Sequence, residues 1–254
     1  MTRIAPAASE HGHGLEAVGV TRSFGGVTAL RAATVRFQHG KINAVIGPNG
    51  SGKTTLFNCI TGMIKPDAGR ITYRGRDITG KPPHRIARAG IGRSFQLCRV
   101  FPRMTVLDNL LVAATAQSIG RQLASARDAA DIERARGWLA HMGIEHLETS
   151  EARNLSWGQQ KLLELAGILM ADPETILLDE PAGGVNPALI DRIAALVRRL
   201  NREGKTFIIV EHNMDMVMAI SDHVVVLDRG KPIAAGPPAA IRSDPLVLEA
   251  YLGV

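Results

Sequence analysis

The chain has 254 residues, 45% hydrophobic and only 4% aromatic, with a formal net charge of +6. This apolar content excludes wholesale disorder and implies a core built mainly of Leu, Ile, Val and Ala. The positive charge favours anionic partners without choosing among them, and no run approaches the ~18 apolar residues of a membrane span.

Met1–Gly14 has no apolar segment of the secretory type and reads as a flexible tail, with His11 and His13 solvated in it. Leu15–Val20, Ala33–Gln38 and Gly40–Ile46 read as short strands, and Thr55–Met63 as a helix leaving a glycine loop. Pro66–Gly69 is a turn, Arg70–Arg74 alternates like a strand, and Gly75 marks another turn. The beginning is therefore β-rich.

The middle is helical. His84–Ala89, Val106–Ala116 and Asp131–Met142 carry helical spacing, and a helix starting near Gly158 continues through Glu164–Ala171. Gln117–Ala130 is polar and basic and reads as an extension. The last third alternates: strands at Thr175–Leu178, Thr206–Val210 and His223–Leu227, helices at Leu189–Leu200 and Met214–Ile220. Such alternation predicts a largely parallel sheet covered by helices. Arg198, Arg199, Arg202 and Lys205 read as a solvated helix face. Cys59 and Cys98 are too far apart in sequence to spell a disulfide framework or a zinc set, which fits a reducing cytoplasm.

The strongest local signal is Gly47-Pro48-Asn49-Gly50-Ser51-Gly52-Lys53-Thr54, which matches the phosphate-loop pattern at every fixed position. The glycines let successive N–H groups turn toward phosphate oxygens, and the following helix directs its positive end there. Lys53 can reach the β- and γ-phosphates, the Thr54 hydroxyl can ligate Mg²⁺, and Thr55 adds a phosphate contact. Ile176–Leu178 then delivers Asp179 and Glu180 to a strand end, Asp179 to hold Mg²⁺ and Glu180 to polarise the attacking water. Two adjacent acids alone are a weak signal; beside a full phosphate loop they point to ATP hydrolysis.

With these motifs in order, the chain resembles the nucleotide-binding subunits of ABC transporters from about Leu15 to Val254. The diagnostic stretch is Leu155-Ser156-Trp157-Gly158-Gln159-Gln160, with Trp157 where the commoner form has glycine. The resemblance implies an α/β fold: a P-loop NTPase core of ABC type with an antiparallel β-subdomain and a helical signature subdomain over 97–165. It implies that Ser156 and Gly158 face the γ-phosphate held by another subunit. Without it, Ser156 is simply a good helix N-cap. Gln96 corresponds to the glutamine that senses Mg²⁺ and water, His212 to the switch histidine, and Phe24 to the aromatic that stacks on adenine. Asn186 and Asn213 depart from the family's usual aspartates.

Phe24-Gly25-Gly26, Phe57-Asn58-Cys59, Glu211-His212-Asn213-Met214 and Tyr251-Leu252-Gly253 are similar to the ATPase subunits of branched-chain amino-acid importers. That likeness implies ATP and Mg²⁺ as cofactors and a homodimer, or a heterodimer with another ABC ATPase subunit. It also implies two integral membrane permeases and, indirectly, a periplasmic solute-binding protein. The expected location is the cytoplasmic side of the inner membrane, peripherally bound, with no nucleic-acid partner. The rival from another class is a soluble ABC ATPase acting on DNA or ribosomes.

Overall fold

The computed structural model describes residues 14–94, 98–115 and 129–252. The expected tail lies outside them apart from Gly14, as do Gln96 and residues 117–128 of the expected extension.

Strands β1 (Leu15–Phe24) and β2 (Val27–Phe37) pair antiparallel across a Gly25-Gly26 turn with positive φ at both glycines. With β4 (Ala68–Tyr73) and β5 (Arg76–Asp77) they form a four-stranded sheet in the order β2-β1-β4-β5. Both opening strands run further toward each other than their apolar pattern predicts. Register shifts between Ala17 and Val20, and again around Arg22, break the alternation of inward residues.

The second sheet has the order β10-β9-β3-β8-β7-β6. Strands β6 (Ile91–Arg93), β7 (Thr175–Asp179), β8 (Thr206–Val210), β3 (Ile42–Ile46) and β9 (His223–Asp228) are parallel, and β10 (Lys231–Gly236) joins the edge antiparallel. Every residue of β3, β7 and β8 is buried, as a sheet covered on both faces requires. The predicted parallel sheet is therefore present. Its two outer strands escaped the pattern because β6 is three residues long and β10 carries Pro232 and Gly236.

Helix α1 (Lys53–Ile60) is packed between the two sheets, where Leu30, Phe57, Ile60, Ile71, Leu177 and Ile208 share one core. Each such side chain contributes about 1.5–3 kcal/mol on burial. The short α2 (Pro83–Arg88) adds Ile86 to it. Helices α3 (Val106–Thr115), α4 (Ala129–Met142) and α5 (Trp157–Met170) pack on one another through Leu110, Leu139, Leu162 and Ala166. Helix α5 continues past residue 165 and closes on the sheet: a Cβ on Gly92 of β6 would meet Ile168 at 2.7 Å.

Helix α6 (Pro187–Arg202) buries Leu189, Ile193, Val197 and Leu200 in the predicted stripe. Helices α7 (Met214–Ile220), α8 (Pro238–Arg242) and α9 (Pro245–Leu252) cover the β3–β9–β10 edge, with Val217, Ile241 and Val247 packed near Ile46. Of the basic cluster, Arg198 donates to the Ala219 carbonyl, Arg199 pairs with Glu203 and Lys205 with Asp172. Among the described residues no helix is long and apolar enough to cross a membrane.

Candidate nucleotide-binding site

The central strands end level with one another. Val45 of β3 is in register with Val210 of β8, and Val210 with Asp179 of β7. The residues that follow therefore emerge side by side at the carboxyl edge of a parallel sheet, where α/β folds bind ligands. They are Gly47–Gly52 after β3, Glu180 after β7, and Glu211 and His212 after β8.

The loop after β3 is shaped by its glycines. Gly47, Gly50 and Gly52 all have positive φ. A Cβ on Gly47 would lie 2.0 Å from the Leu227 carbonyl oxygen, and one on Gly52 would lie 2.5 Å from that of Ala29. A Cβ on Gly50 would meet nothing within 4 Å. The loop is thus walled by backbone on one side and open at Gly50. Gly230 closes the wall, donating its N–H to the Ser51 carbonyl at 3.0 Å and accepting from Arg31 at 2.9 Å.

The Lys53 ammonium lies over this cup. It donates to the carbonyls of Gly47 at 2.8 Å and Pro48 at 3.0 Å. Burial pushes its pKa below the ordinary lysine value, and the charges of Glu180 and Asp179 oppose that shift. Both carboxylates therefore act on Lys53 across the strand ends. Thr54 is exposed at the first turn of α1, with Thr55 half-buried behind it.

Asp179 is held at two points, by Arg93 at the end of β6 and by Ser94 just after it. Its backbone N–H donates to Ser94 Oγ at 3.0 Å, and its Oδ2 accepts from Arg93 Nη2 at 2.9 Å. Burial raises the Asp179 pKa above the ordinary carboxylate value, and the Arg93 hydrogen bond and charge oppose the rise.

Glu180 sits at φ 49°, a left-handed conformation uncommon outside glycine and asparagine. Its amide donates to Val210 O at 2.9 Å, and its carbonyl accepts from Lys161 Nζ of α5 at 3.0 Å. His212 Nδ1 is 3.9 Å from Glu180 Oε1, with His212 exposed. Behind them Glu211 is buried; its carboxylate accepts the N–H groups of Ala182, His212 and Asn213.

The two asparagines at the family's aspartate positions have a plain structural use. Asn186 Oδ1 accepts from Leu189 N at 2.9 Å and caps α6; Asn213 Oδ1 accepts from Met216 N at 3.0 Å and caps α7. Asparagine caps helices as well as aspartate does.

Ser156 caps α5 in a reciprocal box with Gln159 and is exposed. Among the described residues no hydrogen bond joins Ser156 or Gly158 to the phosphate loop. Gly158 also has a packing reason, since its Cβ would meet Leu189 at 2.8 Å. Phe24, 43% exposed, ends β1 with the Arg22 guanidinium 4.9 Å from its ring centre. One face of that ring is thereby occupied.

Arg93, Lys161 and Glu211 are the site residues that the sequence reading did not single out for a role. Each binds a partner by tertiary contact, and Arg93 and Asp179 are 86 positions apart, so no local spacing announces the pair.

A glycine loop beneath a buried lysine, two carboxylates at the end of β7 one strand removed, and this sheet order define a phosphate-loop nucleotide-binding fold of the ABC type. Comparisons with known proteins agree. The ABC transporter family model matches residues 30–183, and that of the branched-chain amino acid ATP-binding cassette transporter matches residues 231–254. The chain is 41% identical over 250 residues to the high-affinity branched-chain amino acid transport ATP-binding protein BraF of Pseudomonas aeruginosa, covering 94% of this chain and 97% of that protein. It is 40% identical over 249 residues to the corresponding protein LivG of Escherichia coli, covering 92% and 96%. Among solved structures, a nucleotide-free ATP-binding cassette from an ABC transporter superposes with a TM-score of 0.85 at 36% identity, covering 95% of this chain and all of that one. The ADP conformation of the cassette MJ1267 gives 0.84 at 36% identity, covering 95% and 99%. The chain belongs to the ABC transporter ATP-binding subunits, in the branched-chain amino acid branch.

Proposed function

We propose that this chain binds ATP with Mg²⁺ and hydrolyses it as one of two ATPase subunits powering a membrane importer. The imported solutes are branched-chain amino acids, the cargo named for its relatives BraF and LivG, or related small polar molecules. The observation that carries the reading is the level ending of β3, β7 and β8, which gathers Lys53, Asp179 and Glu180 into one electrostatic cluster.

The residues fit the ligand. The loop from Gly47 to Thr55 offers left-handed glycines, a helix start and a lysine, which suit a polyphosphate. The Thr54 hydroxyl and the Asp179 carboxylate are hard oxygen donors, the kind Mg²⁺ takes in small number alongside phosphates. Thr54, Asp179 and Gln96 are assigned to hold it. Bound Mg²⁺ supplies neutralisation of charge on the phosphate oxygens.

The remaining work falls to the chain. Lys53 binds the outer phosphates. Glu180 orients a water molecule and accepts its proton at the carboxylate, with His212 and Gln96 steadying that water. Lys161 holds the Glu180 backbone. Phe24 offers the ring face away from Arg22 to adenine. Ser156 and Gly158 serve the nucleotide of the other subunit, in a homodimer or in a heterodimer with another ABC ATPase. Residues 15–254 form the ATPase domain, and the helices within 97–165 form the subdomain that passes closure to two integral permeases. A periplasmic solute-binding protein is reached only through them. The chain is thereby peripheral to the membrane, on its cytoplasmic side.

Reconstitution with the two permeases tests this. ATP-dependent uptake of leucine, isoleucine or valine that stops in Glu180→Gln supports it. ATP consumption that no permease alters, with co-sedimentation on ribosomes, would favour the soluble rival instead.

A further inference from the structure

Arg93 is the most heavily engaged side chain beside the site. Its side chain is 7% exposed and that of Asp179 is 3% exposed. Nη2 donates to Asp179 Oδ2 at 2.9 Å, while Nη1 donates to Asn58 Oδ1 at 2.7 Å and Thr61 Oγ1 at 2.8 Å. The guanidinium also lies 5.7 Å from the centre of the Phe57 ring. Asn58 and Phe57 belong to α1, the helix that begins at Lys53, and Thr61 is its C-cap. Thr61 is itself fixed, donating to the Phe57 carbonyl at 2.8 Å.

One planar fork thus spans from the far end of the phosphate-loop helix to the carboxylate at the end of β7. Lysine presents a single ammonium and cannot reproduce a rigid fork of this kind. Ser94, the residue after β6, adds the second hold, on the Asp179 backbone. A carboxylate on a strand end has rotameric freedom, and engaging one oxygen removes it.

We propose that Arg93 is a positioning residue for the metal-binding carboxylate. By fixing Oδ2 of Asp179 against α1, it keeps the carboxylate in the one orientation from which the other oxygen can meet the divalent cation of a bound nucleotide. The proposal rests on the assignment of Asp179 as a ligand of that cation. In this role Arg93 acts through Asp179 and through the shared anchoring of Asp179 and α1.

The test separates metal binding from nucleotide binding in the full chain. Mn²⁺ affinity in the presence of a non-hydrolysable ATP analogue is read by electron paramagnetic resonance. Affinity for the same analogue is read in EDTA. Arg93→Met is expected to weaken Mn²⁺ binding at least fivefold while leaving metal-free analogue affinity within twofold of wild type. Arg93→Lys is expected to recover part of the loss, and Thr61→Val, which removes one anchor of the fork, to show a smaller loss of the same kind. Should Arg93→Met fail to fold, the same two measurements on Arg93→Lys and Thr61→Val decide.

Mn²⁺ affinity that changes less than fivefold in Arg93→Met, or metal and metal-free affinities that fall in parallel, would overturn the proposal. Asp179→Asn in the same assay distinguishes the two levels. If it weakens Mn²⁺ binding and Arg93→Met does not, only the role of Arg93 is lost. If it leaves Mn²⁺ binding intact, the assignment of Asp179 is lost and the role of Arg93 goes with it.

Discussion

The Glu211 carboxylate accepts the amide N–H of Ala182 at 2.7 Å through one oxygen and those of His212 and Asn213 through the other, both at 2.9 Å. A single buried acid therefore ties the loop after β7 to the turn after β8. Replacing it with Gln turns an NH₂ toward N–H donors and leaves at least one of them unsatisfied. Glu211→Gln is expected to lower stability by about 2–4 kcal/mol and to reduce ATP turnover more than ATP binding. Thermal unfolding, nucleotide titration and phosphate release measure the three quantities.

Lys53 and Glu180 should fail differently. Lys53→Ala removes the buried ammonium over the loop and is expected to weaken ATP binding. Glu180→Gln keeps the loop intact and should retain ATP while turnover falls about 10²–10⁴-fold. Labelled-ATP binding beside phosphate release separates the pair. Turnover at wild-type level in Glu180→Gln would remove that residue from the base role.

Two loop glycines make a steric contrast. In Gly47→Ala the new methyl would sit 2.0 Å from the Leu227 carbonyl oxygen, and no small shift relieves a contact with backbone. The expected cost is about 3 kcal/mol or more, with loss of nucleotide binding. Gly50→Ala meets nothing within 4 Å and carries only the local strain of its positive φ, about 1 kcal/mol. Denaturant midpoints of the two variants check the order.

The capping asparagines are expected to behave as caps. Asn186→Ala and Asn213→Ala should each cost about 1 kcal/mol, while the Asp variants should stay within about 0.5 kcal/mol of wild type. Urea unfolding resolves differences of that size. A large gain in turnover on restoring either aspartate would mean the charge matters beyond the cap.

Cys59 supplies a pH prediction. Burial pushes its thiol from 9.0 to about 11. The folded state therefore keeps its proton where the unfolded chain has lost it, so this stabilising contribution is present below pH 9.0 and declines as pH rises toward about 11. The expected loss reaches about 2–3 kcal/mol. Cys98, pushed up to about 12, acts in the same direction. Cys59→Ala should flatten the decline in stability between pH 9.0 and about 11 relative to wild type, measured by urea unfolding.

The phosphate loop could be read from the chain because its requirements are local. Its glycines, lysine and threonine occupy eight consecutive positions, between a strand and a helix. The buried strands Thr175–Asp179 and Thr206–Val210 were equally legible, since a continuous apolar run needs no neighbour to be recognised. The supporting shell was not. Arg93 resembles any arginine in a short strand until Asp179, Asn58 and Thr61 are brought around it. Lys161 looks like a solvated helix lysine until Glu180 presents its carbonyl. Helices α8 and α9, five and eight residues long and opening with proline, were not read as helices.

The left-handed turn at Glu180 has an evolutionary consequence. A glycine there would release the backbone and erase the acid in one step. Screening this family member for thermal robustness alone would thus reward loss of the carboxylate that we propose as the base. A search for hardier variants has to score phosphate release alongside melting.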